Sequence, residues 1–158
     1  MLKKKIYILL VALISFVLFV WGALYLNERL FQGEYYHYED GVTIEVTNSS
    51  DQTVNDLKYY FTVVPQELGE ISSLEPGERK VLYTPKIEGE GSDRSLYFEY
   101  PLNNTSLVKE TLAYLSSYIP SKVVIVLEII DVDHIGRISY QIKGYEDIFG
   151  RFEYDNTH

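Results

Sequence analysis

The hydrophobic pattern changes period once along the chain. Residues 6–26 are apolar almost throughout, with no charged residue among the 21 positions. Ser15, Trp21, Gly22 and two tyrosines are the only departures from aliphatic or Phe character. As a helix this run rises about 31 Å, the hydrocarbon thickness of a bilayer. From Val42 onward the period is mostly two, the signature of half-buried strands. Val42, Ile44 and Val46 alternate with Thr43, Glu45 and Thr47, and Leu57, Tyr59, Phe61 and Val63 alternate with Lys58, Tyr60 and Thr62. Val81 with Tyr83 marks a third strand, and Leu96, Phe98 and Tyr100 a fourth. Residues 107–115 form a fifth, less regular stretch in which a helix competes. The most apolar run, 122–131, places Val123, Ile125, Leu127 and Ile129 on one side and Val124, Val126 and Ile130 on the other. It reads as a central strand covered on both faces. Ile138, Tyr140 and Ile142 complete seven strands.

The gaps carry turn chemistry. Pro76-Gly77 supplies the fixed φ and then the positive φ of a type II turn. Gly89, Gly91 and Asp93 mark one loop, 101–104 another, and Asp131 to Gly136 the connection between the last two strands. Asn48-Ser49-Ser50 fits a glycosylation sequon, but the polar cluster 48–53 reads as a turn, because Asn, Ser and Asp bond readily to nearby backbone. Residues 33–40, rich in Tyr and Glu, read as a stalk or a leading edge strand. The tail after Gly144 is either a short terminal strand or loosely packed. No internal repeat is visible. Short strands between turn signals predict an all-β, antiparallel β-sandwich after the apolar helix.

Three stretches carry a resemblance: VTIEVTNSSDQTVNDLKYYFTV, LGEISSLEPGERKVLYTP, and KETLAYLSSYIPSKVVIVLEIIDVDHIGRISYQI. Together, over residues 42–143, they resemble small, membrane-anchored, immunoglobulin-like exported proteins of Gram-positive bacteria. In those proteins a strand ending in Asn-x-Ser leads to a strand with Lys-Tyr or Lys-Phe, then to a turn with Pro-Gly-Glu. The resemblance implies an immunoglobulin-like sandwich on an anchor. It implies no catalytic residue.

The run at 6–26 reads as an uncleaved transmembrane signal anchor. It exceeds the 7–15 residues of a cleaved signal's apolar core and ends without an A-x-A site. No cysteine offers a lipoprotein site, and the glycine and glutamate of a prepilin are absent. Lys3, Lys4 and Lys5 orient residues 1–5 as a cytoplasmic tail, while Tyr7, Trp21 and Tyr25 lie where aromatic rings meet the interface. Residues 27–40 follow as a linker and 41–158 as the extracytoplasmic domain. That arrangement gives a single-pass cell-membrane protein, bound to the lipid bilayer through 6–26. Residues 33–158 carry 22 acidic and 10 basic residues, a net charge of −12. Such a surface repels nucleic acid and anionic lipid. The absence of cysteine removes any disulfide framework. Stability then rests on a hydrophobic core, and acidic, cysteine-free export fits the outer face of a Gram-positive cell.

Chemistry is sparse. His37, His134 and His158 are far apart, so no metal site is expected. Asp131-x-Asp133 before Gly136 resembles a calcium loop only faintly, lacking the third ligand position and the distal bidentate Glu. There is no Gly-x-Ser-x-Gly, no thiol nucleophile and no phosphate-cradling glycine loop. Carboxylates are plentiful, and pairs such as Glu88/Glu90 or Asp131/Asp133 can be imagined as acid and base, but loops in an acidic chain produce such pairs by chance. Neither an enzyme nor a cofactor is therefore expected. The distinctive feature is tyrosine, 15 in the chain. Tyrosine offers stiff amphipathic area for recognition, although it also suits half-buried sheet. Tyr35, Tyr36, Tyr38, Tyr60 and Tyr97 are the candidate interaction surface. The expected function is a non-catalytic binding module for an envelope protein or a cell-wall component. The alternatives are an accessory structural subunit of a membrane transport or secretion complex, and an enzyme with an unrecognised carboxylate site.

Overall fold

The apolar run forms one helix, α1 (Leu2–Gln32), in a computed structural model that describes residues 2–62, 66–86, 94–102, 106–115, 120–147 and 150–156. The helix is long and apolar enough to span a membrane or to act as a signal sequence, and none of its most apolar window is buried by protein. It outlasts the expected end of the anchor at 26, because nothing in 27–32 breaks a helix. Gly33, with φ 59°, ends it in the left-handed conformation that favours glycine. The stalk or edge strand expected at 33–40 is instead opened by a 3-10 turn, Gly33–His37. By contact the chain divides into two units, 1–36 and 37–158.

The second unit contains nine strands among its described residues: β1 (Gly41–Asn48), β2 (Val54–Phe61), β3 (Gln66–Leu74), β4 (Arg79–Thr84), β5 (Arg94–Leu102), β6 (Ser106–Leu115), β7 (Lys122–Val132), β8 (Ile138–Glu146) and β9 (Gly150–Asn156). They form a β-sandwich of a five-stranded sheet, β4-β1-β7-β8-β9, and a four-stranded sheet, β3-β2-β5-β6. The irregular stretch at 107–115 is strand, not helix. Two strands exceed the expected seven. β3 buries Leu68, Ile71 and Leu74, a spacing of three that hides a strand from a period-two reading. The bulge between Tyr59 and Tyr60 absorbs the irregularity. β9 follows Gly144, against which the Phe152 ring lies closer than a Cβ there would allow. Of the expected loops, 87–93 and 103–105 lie outside the described residues, and 101–102 belong to β5.

The sandwich is not wholly antiparallel. β1 runs parallel to β7 through eight pairs, from Gly41↔Lys122 to Asn48↔Ile129. Burial of β7 is also more one-sided than its composition suggests. Val123, Ile125, Leu127 and Ile129 are fully buried in the core. On the other face Val124 is buried, Val126 is half-buried, and Glu128 and Ile130 are exposed.

The core is aliphatic with an aromatic centre. Phe98 lies 6.0 Å from Tyr59, 5.0 Å from Tyr100 and 5.3 Å, edge-on, from Tyr140 of the opposite sheet. β2 contributes through a phase break. Val54 and Leu57 are both buried although three apart, because Asp56 between them adopts φ 55°. Aspartate tolerates that left-handed conformation better than most residues.

At the end of β1 the sequon asparagine, Asn48, is fully buried. Its Nδ2 donates to the carbonyls of Gln52 at 2.8 Å and Leu74 at 2.9 Å. Its Oδ1 accepts from the Ser50 amide at 3.0 Å and the Ser50 hydroxyl at 2.7 Å. The neighbouring turn has the expected form. Glu78 N donates to Glu75 O at 2.9 Å, with Gly77 at φ 77°, as a type II turn requires.

Replacing Asn48 by Ala removes the donor from the buried Leu74 carbonyl and the acceptor from the buried Ser50 amide, and each such loss costs ~1–3 kcal/mol. Urea unfolding should therefore show Asn48→Ala destabilised by at least about 2 kcal/mol, with Ser49→Ala within about 0.5 kcal/mol of wild type. Equal stability of the two variants would contradict this role. A second consequence concerns Tyr59, whose hydroxyl is buried without a partner among the described residues and whose phenol burial pushes up. Because an unsatisfied buried hydroxyl is costly, Tyr59→Phe should be neutral or stabilising by about 1 kcal/mol. A clear drop in the urea midpoint would disprove it.

Candidate functional site

The outward face of the four-stranded sheet follows from the burial of its neighbours. Tyr59, Phe61, Leu96 and Phe98 point into the core, so the intervening Tyr60 and Tyr97 must point out. The register sets them side by side and builds two rows across the sheet. One row runs Glu67–Tyr60–Tyr97–Thr111, and the next runs Glu70–Lys58–Glu99–Lys109. The second row alternates in sign, with Lys58 Nζ 3.7 Å from Glu70 Oε2.

Tyr60 and Tyr97 lie nearly parallel, at 23°, with centroids 6.1 Å apart. The Lys109 ammonium sits over both rings, 4.1 Å from the Tyr97 centroid and 5.1 Å from that of Tyr60. Cation–π contacts at such exposed sites contribute about 0.5–1 kcal/mol. The Tyr60 hydroxyl donates to Glu99 Oε2 at 3.1 Å. Hydrogen bonding from Thr111 and then Ser95, with the charge of Lys109, holds the Tyr97 phenol below its usual range. The product is an aromatic platform with hydroxyls, a carboxylate and an ammonium at its margin.

The other three candidate tyrosines are not part of it. Tyr35 is 3% exposed. Tyr36 donates to the Tyr25 hydroxyl at 3.1 Å and lies under Arg29, 5.2 Å from its guanidinium carbon. Tyr38 donates at 2.8 Å to Glu45, a carboxylate that also pairs with Arg79. The expected surface of five tyrosines therefore reduces to a pair. The sequence reading missed Lys109 and Thr111, which join the pair through the register of β5 with β6, and Glu99, which meets Tyr60 through the pairing of β2 with β5. Their placement outward from strands is the one signal that could have suggested them.

Two carboxylate groupings have structural partners. Glu110 of β6 reaches across to the other sheet. It accepts from Tyr140 at 2.5 Å, Asn156 at 2.6 Å and Tyr100 at 3.2 Å. Burial foremost, and then the Glu110 charge, push the Tyr100 phenol up to about 12, against the opposing Ile138 amide, and Tyr140 is also pushed up. Asp133 of the expected calcium-like loop turns its Oδ1 to the amides of Arg137 at 2.8 Å and Ile135 at 2.9 Å. Those bonds hold its pKa below the ordinary carboxylate value. Among the described residues no three His, Asp or Glu side chains converge as a metal site would require. Glu88, Glu90 and His158 lie outside the described residues.

A cleft of about 240 Å³ opens between the β1–β2 connection, the end of β5 and the β7–β8 turn. No family model, curated protein or solved structure matches the chain. What stands is an N-terminal apolar helix followed by a sandwich of two β-sheets.

The raised phenols fix a pH dependence. Tyr100 and Tyr140 stay neutral in the folded chain where the unfolded phenol, with its ordinary pKa of 10.0, ionises. Their contribution is intact below pH 10 and is lost as pH rises toward about 12. Urea unfolding at stepped alkaline pH should show this fall. Tyr100→Phe/Tyr140→Phe should make it shallower, and an unchanged slope would refute the assignment.

Proposed function

We propose that this protein is a single-pass, membrane-anchored binding module. In this reading residues 6–26 cross the cell membrane with the N-terminus cytoplasmic. The extracytoplasmic sandwich, immunoglobulin-like and akin to the small exported Gram-positive proteins its sequence resembles, contacts an envelope protein or a cell-wall component without catalysis. One observation carries the proposal: the Tyr60–Tyr97 pair, held by Lys109 and bordered by an alternating charge row, on an outward sheet face. Packing and hydrogen bonds pre-order these side chains, so little rotamer freedom remains to be lost on binding. The platform is also close to charge-balanced on a domain of strongly negative net charge, which lets a partner approach with less repulsion. The anchor is supported by the length and exposed apolar surface of α1. The non-catalytic reading is supported by Glu110, Asp133 and Glu45, whose carboxylates bond to the fold itself.

The test uses the full-length protein with a C-terminal tag and a photo-crosslinker at the exposed position Thr111. A reproducible adduct should form in membranes, and Tyr60→Ala/Tyr97→Ala should abolish it while the domain still melts cooperatively, at a temperature lowered by the lost stacking and cation–π contacts. An adduct indifferent to that double substitution would overturn the platform. A shortened, soluble tagged product in the medium would overturn the anchor.

A further inference from the structure

The outer strands of a sheet carry backbone groups that another chain can pair with. Here those strands are β4 and β9 in one sheet and β3 and β6 in the other. β3 and β4 are tied to each other, since Lys80 Nζ donates to Ser73 O and Thr84 Oγ1 to Leu68 O. β9 has its carboxylates occupied, Glu153 by Lys143 at 3.7 Å and Asp155 by Gln141 at 3.4 Å. β6 is the longest of the four, with ten residues, and among the described residues it pairs with β5 alone.

The backbone of β6 is turned for pairing on its free side. Thr62 N donates to Ser95 O at 3.2 Å, one step beyond the Phe61↔Leu96 pair. Hydrogen-bonded pairs alternate along an antiparallel ladder, so a residue bonded to one neighbouring strand turns its backbone away from the other. Ser95, Tyr97, Glu99 and Pro101 therefore face β2, and Phe98 and Tyr100 face β6. Pro101, which has no N–H to donate, sits where the β5–β6 ladder needs none from it. Across from Phe98 and Tyr100 stand Glu110 and Val108. Leu107 and Lys109 alternate with those two, so their N–H and C=O groups point off the sheet.

The side chains of the same two residues select what pairs there. Leu107 is 66% exposed on the outward face. An exposed lysine often guards an edge strand. Lys109, however, folds back over Tyr97 and Tyr60, 4.1 and 5.1 Å from the ring centroids, and leaves the edge uncovered. Its ammonium has no carboxylate within ion-pair distance among the described residues, whereas Lys58, Lys80 and Lys143 have one at 3.7, 3.3 and 3.7 Å. The row Glu70–Lys58–Glu99–Lys109 thus ends at the edge on an unanswered positive charge. Opposite charges directly across a strand pair are favourable, so the residue that completes the row is acidic. A second copy of β6 supplies none, because Leu107, Lys109 and Thr111 are its outward residues there, and two strongly negative domains repel. Given the binding-module reading, on which this rests, we propose that β6 takes up an extended segment of a partner protein as a fifth strand. That segment carries an acidic side chain across from Lys109 and an apolar one across from Leu107.

The experiment offers a library of ten-residue peptides, randomised at every position, to the full-length protein in nanodiscs. Selected peptides should carry Asp or Glu at one position and an apolar residue two places away. Selection against Lys109→Glu should exchange that acid for Lys or Arg. Leu107→Pro removes the edge-facing N–H, whereas Leu107→Ala removes only the side chain. A selected peptide should therefore bind the Pro variant roughly tenfold more weakly than the Ala variant. N-methylation of alternate peptide residues, which leaves the protein untouched, should abolish binding even if Leu107→Pro melts early. No enriched acidic position, a preference unchanged in Lys109→Glu, or binding indifferent to both backbone changes would each overturn the proposal. The Thr111 adduct separates strand addition from the platform. An adduct lost in Tyr60→Ala/Tyr97→Ala but retained in Leu107→Pro would overturn strand addition and leave the platform standing. An adduct of twice this chain's mass would make the partner a second copy and overturn the proposal likewise.

Discussion

Everything at one end of the sandwich converges on the Asn48 amide. β1 must leave the five-stranded sheet there and deliver the chain to the four-stranded one. A chain crossing between layers leaves backbone groups with no ladder to join, and buried groups of that kind must find partners. Asn48 resolves this with every valence it has. Its amide nitrogen serves the end of β3 and the β1–β2 connection, and its oxygen holds Ser50. Its backbone oxygen accepts from Gly77 at 2.7 Å and its nitrogen donates to Glu78 O at 3.0 Å, while Ser49 N donates to Ile129 of β7 at 2.8 Å. One short side chain therefore links β1, β3, the type II turn and a connection, with β7 tied in through its neighbour. A nitrogen buried between two carbonyls cannot also carry a sugar. The sequon is a structural joint.

Tyrosine is used in two opposite ways. Tyr59, Tyr100 and Tyr140 fill the centre of the core around Phe98. Tyr100 and Tyr140 hand their hydroxyls to Glu110, which lets a carboxylate join the two sheets at their margin. Tyr60 directly follows Tyr59 in β2 and Tyr97 directly precedes Phe98 in β5, and the pleat turns both outward. The same residue type thus builds the core on one face of the sheet and the platform on the other. Core packing accounts for a minority of the 15 tyrosines: among the described residues only Tyr35, Tyr59, Tyr100, Tyr140 and Tyr145 are buried, and the outward pair is a smaller part still.

Much of the architecture was legible because it depends on local period and turn chemistry. The apolar helix, seven strands and the Pro76-Gly77 turn follow from side-chain alternation and from the φ values that particular residues permit. β3 was hidden because its buried positions step by three around Gly69 and a bulge. β9 was ambiguous because only its packing against Gly144 distinguishes a strand from a loose tail. The helix runs on to Gln32, past the apolar run, because 27–32 carry charge without carrying a breaker. At the site, Tyr60 and Tyr97 were identified as outward-facing but grouped with three tyrosines that the structure places elsewhere. Exposure of Tyr35, Tyr36 and Tyr38 depends on contacts no period describes.

The amino-acid order by itself determined which segments are extended, which side of each strand is apolar, and that an apolar helix precedes an acidic, cysteine-free domain. These are properties of neighbours a few residues apart. Only the tertiary structure decided that β1 pairs parallel with β7, about eighty residues later, and that Lys109 lies over two tyrosines from other strands. Only it decided that an uncharged cleft opens where three strands end. Alternation specifies a strand's faces but not its partner, direction or register. Those are chosen by which pairing buries both apolar faces while leaving the fewest backbone groups unpaired.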